Sequence, residues 1–287
     1  MEFDSERKCA LCLTNTADDT NTHYLTDSVI RRCLNEEGSK IRAKTSSYEI
    51  TLDLDDKTYS KKYKFGQKTS QKSIEEALNR SPTDEEIEEA KKTDKHAVDY
   101  VFCRQCEKMM ADEIESPFAS IMNKFRAESF MPNTATPNPS ADNIIDGYEL
   151  FNQEDDIKRI RLFFLLQLWR TSACVSSFKL DNEIEETLRT IILDCKTVNV
   201  EELKKIPLAI SYINIKSDYT TGIVMPIKSR SKYLIFMCDF LVEYIGLNSS
   251  DRRTLGKMNQ EETQFEITIF KESFQPTLWT KFANLVS

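Results

Sequence analysis

Apolar residues fall at regular spacings along this chain, and the spacing changes character several times. Leu25, Val29, Ile30 and Cys33 lie at helical intervals, with Glu36-Glu37-Gly38 as a stop, so a short helix is expected there. Residues 46–65 alternate apolar and polar through Tyr48, Ile50, Leu52, Leu54, Tyr59, Tyr63 and Phe65, interrupted by Asp55-Asp56; this predicts a hairpin. Residues 67–95 are rich in Lys, Glu, Ser and Thr and read as a solvated excursion. Val98 to Phe102 is apolar enough for a short strand. From Glu107 to about Phe130 the period is helical through Met110, Ile114, Phe118, Ile121, Met122 and Phe125, with a bend expected at Pro117.

The run 131–143 holds three prolines and no apolar cluster, and reads as a linker between an N-terminal module at 1–130 and a C-terminal domain at 144–287. Beyond it, residues 154–176 form a strongly apolar helix and 181–195 a second helix opened by Asp181, a pair expected to be buried. Strand-like runs at 207–215, 222–228, 232–246 and 264–270 follow, then a short helix near 276–285. Helices followed by strands imply an α+β class, with the helix pair packed on an antiparallel sheet.

Composition narrows the chemistry. With 287 residues, 40% of them hydrophobic, the chain can bury a sizeable core. A formal charge of −8 gives no global attraction to phosphate, so contact with DNA or RNA needs a local basic patch or a metal ion. Arg31-Arg32, followed by Lys40, Arg42 and Lys44, supplies one such stretch. Six glycines and no glycine-rich phosphate loop exclude the usual nucleotide cradles. The first residues lack the apolar core of a signal peptide, and no apolar run approaches membrane-spanning length, so the expectation is a cytoplasmic protein without a membrane segment. Trp169-Arg170 lies on the apolar helix, where a core Trp and an Arg that snorkels or pairs with an acidic residue such as Glu185 or Glu186 is the ordinary reading. His96, in a polar segment, is expected at the surface.

Eight cysteines in a reducing compartment argue against a disulfide framework. Four of them form two CxxC pairs, Cys9/Cys12 and Cys103/Cys106, separated by about ninety residues. A two-residue gap lets both thiolates of a pair reach one ion, so the four sulfurs are expected to close a tetrahedral structural Zn2+ site. Redox-active pairs are the competing reading, since CxxC also serves thiol exchange. Cys33, Cys174, Cys195 and Cys238 sit singly and read as small buried hydrophobes.

The order CALC, then Thr22-His23-Tyr24-Leu25, then Val101-Phe102-Cys103-Arg104-Gln105-Cys106-Glu107 resembles the HNH endonuclease family, a zinc-braced form of the ββα-metal nuclease fold. The resemblance covers roughly residues 7–120 and is nearest to the divergent prokaryotic group with a SHIIP segment and an LCxxCE knuckle. It implies a treble-clef-like ββα module in the N-terminal half. It further implies that His23 is the general base, that Glu107 occupies the helix position of a catalytic metal ligand, and that Mg2+ or Mn2+ is the catalytic ion. Two positions depart from the pattern: Thr22 stands where an acidic or His ligand is usual, and Thr26 where proline is usual. Asp27, Asp99 or Glu115 could replace the missing ligand, and Arg31 and Arg32 could meet the nucleic acid.

Two functions follow as alternatives. One is a metal-dependent nuclease acting on DNA or RNA, in a phage-defence or mobile-element setting by family analogy, with a C-terminal domain that engages a protein partner. The other is a non-catalytic scaffold that keeps a degenerate treble clef for binding protein or nucleic acid.

Overall fold

The computed structural model describes residues 7–20, 22–26, 29, 47–54, 57–64, 80–81, 83, 97–127, 129–134, 144–175, 178–214, 223–229, 232–237, 239–245, 254–259, 263–274 and 277. The chain divides into two compact units, residues 1–104 and 105–287. Most of the short helix expected after Leu25, of the polar excursion, of the 131–143 linker and of the final helix lies outside the described residues.

In the first unit, β1 (Thr22–His23) pairs antiparallel with β4 (Ala97–Val98), with Thr22 opposite Val98 and His23 opposite Ala97. The hairpin pattern at 46–65 gives β2 (Ser47–Leu54) and β3 (Lys57–Lys64), which pair antiparallel from Ser47/Lys64 to Leu54/Lys57. The strand expected over Val98–Phe102 is shorter, because Tyr100 takes a left-handed φ of 60° and ends the extended run.

The second unit is α+β around a mixed seven-stranded sheet. The helix expected from Glu107 begins at α1 (Arg104–Met110), passes through a π-helical turn (Ala111–Glu115) and continues as α2 (Ser116–Arg126). Pro117 accounts for the π turn: proline offers no N–H and its ring crowds the carbonyl four residues earlier, so the helix widens just ahead of it. α3 (Glu154–Cys174) is buried continuously from Ile160 to Ser172, as its long apolar run requires. α4 (Asn182–Leu193) follows it, and then a single turn, α5 (Val200–Leu203), whose N-terminal N–H of Glu202 is capped by the Asn199 side chain.

The strands are β5 (Ile145–Phe151), β6 (Leu208–Asn214), β7 (Ile223–Ser229), β8 (Lys232–Met237), β9 (Phe240–Ile245), β10 (Met258–Asn259) and β11 (Phe265–Lys271). Their order is β5-β11-β6-β9-β8-β7, with β10 beside the start of β6. The expected antiparallel sheet is corrected here to a mixed one: β11 lies parallel to β6, pairing Ile267 with Ile210 through Lys271 with Asn214. The run 232–246 is two strands, β8 and β9, reversing at Asp239.

Alternation sorts the side chains into two layers. On one face Tyr212, Phe240 and Tyr244 meet the helices: the Tyr212 and Tyr244 hydroxyls donate to the carbonyls of Phe125 (3.0 Å) and Phe164 (2.5 Å), and Phe118 stacks on Phe163 with centroids 3.9 Å apart. The opposite face carries Ile213, Leu234, Phe236, Leu241 and Phe270, covered by Phe274 of the short 3-10 turn Glu272–Phe274. Buried Glu149 on β5 is paired with Lys124 of α2.

Candidate metal centre

The first knuckle is built by local hydrogen bonds. Cys9 N–H donates to the Asn15 carbonyl at 2.8 Å, Leu13 N–H to the Cys9 carbonyl at 2.9 Å, and Ala17 N–H to the Arg7 carbonyl at 2.8 Å. Leu13 takes a φ of 60°, a left-handed turn that reverses the chain just past the second cysteine although Leu is a poor fit there. The second knuckle is threaded into the first: Ala10 N–H donates to the Val101 carbonyl and Asp18 N–H to the Phe102 carbonyl, both at 2.9 Å. Asp18 then caps the start of α1, its Oδ2 accepting from Arg104 N–H at 3.0 Å.

This scaffold brings Cys9, Cys12, Cys103 and Cys106 together, with all four sulfurs within 4.8 Å of one another. Sulfurs on a tetrahedron with bonds of about 2.3 Å stand roughly 3.8 Å apart, so the four thiols need little closing movement to share one ion. Cys9, Cys103 and Cys106 are buried and Cys12 is half-buried. Burial pushes the Cys12 thiol up, but hydrogen bonds from the Thr14 hydroxyl, the backbone N–H groups of Asn15 and Thr14, and Cys9 outweigh it and bring its pKa to about 6. Asn15 Nδ2 points at Cys103 Sγ at 3.6 Å, an amide-to-sulfur contact of the kind that orients metal thiolates. Four thiols of this geometry, with Cys12 favoured as the anion, fit a metal ion, and the geometry gives the two CxxC pairs a common role.

The other residues singled out from the sequence are distributed as follows. His23 is half-buried on β1, in register with Ala97. Thr22 beside it is buried, and its hydroxyl shares a 2.8 Å hydrogen bond with the Thr20 hydroxyl. Glu107 is in the first turn of α1, half-buried. Asp27, Arg31, Arg32 and His96 lie outside the described residues. Among the described residues the four cysteines form the one group of three or more His, Cys, Asp or Glu ligand atoms close enough for an ion; Glu107, Glu115 and His23 are not part of such a group.

Arg170 pairs with an acidic residue, as expected, but that residue is Glu115 and not Glu185 or Glu186, the two named as examples. Its Nη2 donates to Glu115 Oε1 at 2.6 Å, while Glu186 is bound by Arg189 and Glu185 accepts from Ser172. Burial works against the Arg170 charge, but the carboxylates of Glu115 and Glu107, together with Cys174, hold its pKa above the usual value. Sequence reasoning also passed over Asn15 and Asp18; a signal for Asp18 was its acidic type, but its distance of 86 positions from Arg104 hid the cap.

Compared with protein-family models, with curated proteins and with solved structures, the chain matches none.

Proposed function

We propose that the four cysteines hold a structural Zn2+ and that the module around it is an HNH-like nuclease acting on phosphodiester bonds of DNA or RNA. The observation that carries the reading is the chain order around the thiol cluster. A strand ending in His23 pairs antiparallel with the strand that leads into the second knuckle, and a helix opens directly from that knuckle. This is the β-β-α order of the resembled family. Bound zinc would supply no reaction chemistry: four thiolates leave no open coordination position, so it acts as a brace.

In this reading His23, on the strand beside the second knuckle, serves as the general base that takes a proton from the attacking water. The hard-cation ligands that the resemblance supplies are Glu107 and Asp27. Asp27 is outside the described residues, Thr22 is neutral and bonded to Thr20, and the Glu107 charge already acts on Arg170. Among the described residues no set of donors makes a catalytic Mg2+ or Mn2+ site.

The same three observations favour the second reading, a zinc-braced scaffold that binds a protein or nucleic-acid partner without cleaving. One experiment separates the two. Purified zinc-loaded protein is incubated with single- and double-stranded DNA and RNA in Mg2+ or Mn2+, beside His23→Ala checked for equal zinc content and melting temperature. The nuclease reading expects cleavage that falls by about 10²- to 10⁴-fold in the variant. Binding without cleavage, or cleavage equal in both proteins, rejects the nuclease and leaves the scaffold.

A further inference from the structure

Asn15 reaches both halves of the thiol cluster. Its carbonyl accepts from Cys9 N–H at 2.8 Å, its own N–H is directed at the Cys12 sulfur, and its side-chain Nδ2 stands 3.6 Å from Cys103 Sγ, 88 positions along the chain. One residue thus touches three of the four cysteines whose sulfurs lie within 4.8 Å of one another. The first two contacts belong to the backbone, and any non-proline residue would make them. The third needs a side-chain donor of this length. Turn geometry does not account for an asparagine at this position. Asparagine is favoured in turns partly because it tolerates a left-handed backbone, but the left-handed residue of this knuckle, with φ of 60°, is Leu13, and Asn15 has no positive φ. What the asparagine adds is the amide N–H on Cys103.

We infer that Asn15 is a positioning residue of the metal centre: its side-chain amide, by hydrogen-bonding the Cys103 sulfur, holds the second knuckle against the first and strengthens the grip of the four thiolates on the ion. The inference rests on the zinc reading above and deepens it, because it names a residue outside the four ligands that sets the affinity of the site. Four thiolates around a divalent cation leave an excess of negative charge on sulfur, and an N–H donor offsets part of it. The bond also joins the two thiol pairs before the ion arrives, so less chain freedom is lost when the ion binds. Groups that hydrogen-bond a metal ligand are worth about 10- to 100-fold in metal affinity.

The test compares the full-length wild type with Asn15→Asp and Asn15→Ala. Aspartate keeps the size and turn-forming ability of asparagine but has no N–H to give and sets a negative charge beside the sulfur; alanine deletes the group and keeps both backbone contacts. Zinc affinity is measured by competition with a chelator of known strength, and Co2+ is substituted to read the sulfur-to-metal charge-transfer band. Both variants should bind zinc about 10- to 100-fold more weakly, with aspartate the weaker of the two. The Co2+ band should move to lower energy in both, because a sulfur relieved of its hydrogen bond gives up electron density more readily. Should Asn15→Asp fail to fold, Asn15→Ala carries the same two readouts. Zinc affinity within about twofold of the wild type, or weaker binding with the Co2+ band unmoved, makes Asn15 a turn residue only; either result overturns the inference and leaves the zinc reading standing. A wild type that binds no zinc overturns both.

Discussion

Replacing Arg161 with methionine should leave the protein as stable as before or make it more stable, the opposite of what deleting a buried arginine usually does. Arg161 is fully buried on α3, and its Nη2 makes one hydrogen bond, 3.0 Å to the Asn259 carbonyl. Among the described residues its Nε and Nη1 have no hydrogen-bond partner, and its guanidinium lies 5.1 Å from the Phe265 ring centroid. Burial brings its pKa down from 12.5 to about 10. Each pKa unit corresponds to about 1.4 kcal/mol, so the buried charge costs about 3 kcal/mol at neutral pH. Because the folded pKa is the depressed one, this cost is fully present below pH 10 and is relieved only as the pH rises beyond it. Against it stand one charge-assisted hydrogen bond of about 1.5–3 kcal/mol and a cation–π contact of about 1–2 kcal/mol. Methionine gives up those two contacts, removes the desolvation cost, and regains roughly 1–2 kcal/mol by burying apolar surface in a similar volume. The net lies between about −1 and +2.5 kcal/mol, with its midpoint near +1 kcal/mol of added stability. Urea denaturation of wild type and Arg161→Met at pH 7 measures it directly. A loss above about 2 kcal/mol would refute the reasoning, since it would mean that the guanidinium is properly compensated.

Two further outcomes test the C-terminal unit. Burial raises the Glu243 carboxyl above its usual pKa, against the lowering effect of the Leu255 and Gly256 N–H groups and Lys232. The folded state therefore holds that proton more tightly, and its contribution is complete below the unfolded pKa and lost as the pH climbs through the folded value. Glu243→Gln should accordingly gain on the wild type from pH 4 to pH 7 in urea midpoints, and a constant difference across that range would reject the assignment. At Gly147 a Cβ would stand 2.1 Å from the Asn133 carbonyl oxygen and 3.0 Å from Pro132 Cβ. Gly147→Ala should break the two hydrogen bonds between Asn133 and Tyr148 and cost about 2 kcal/mol, seen as faster amide exchange at Tyr148; unchanged exchange would show that the 131–133 segment yields.

The four-cysteine cluster was largely legible because its signal is local: two residues between cysteines already fix which sulfurs can share an ion. α3 was legible for a related reason, since a helix with so long an apolar run from Leu162 to Trp169 has nowhere to go but the interior. The strands β6, β7 and β11 also announced themselves, through short apolar runs between polar segments. β5 did not. Its buried positions include Gly147 and Glu149, so no apolar alternation marks it, and only pairing with β11 and the ion pair from Lys124 make it a strand.

What the sequence by itself determined is therefore the set of elements whose chemistry leaves one outcome: paired thiols, a long apolar helix and alternating strands. The tertiary structure alone decided the rest. It set β11 parallel to β6, placed Asp18 on the start of α1, and gave Arg170 to Glu115 rather than to Glu185 or Glu186. Each of these is a partnership between residues far apart in the chain. A charged or hydrogen-bonding group has many acceptable partners of equal local merit, and only the packing of the apolar core determines which one comes within reach.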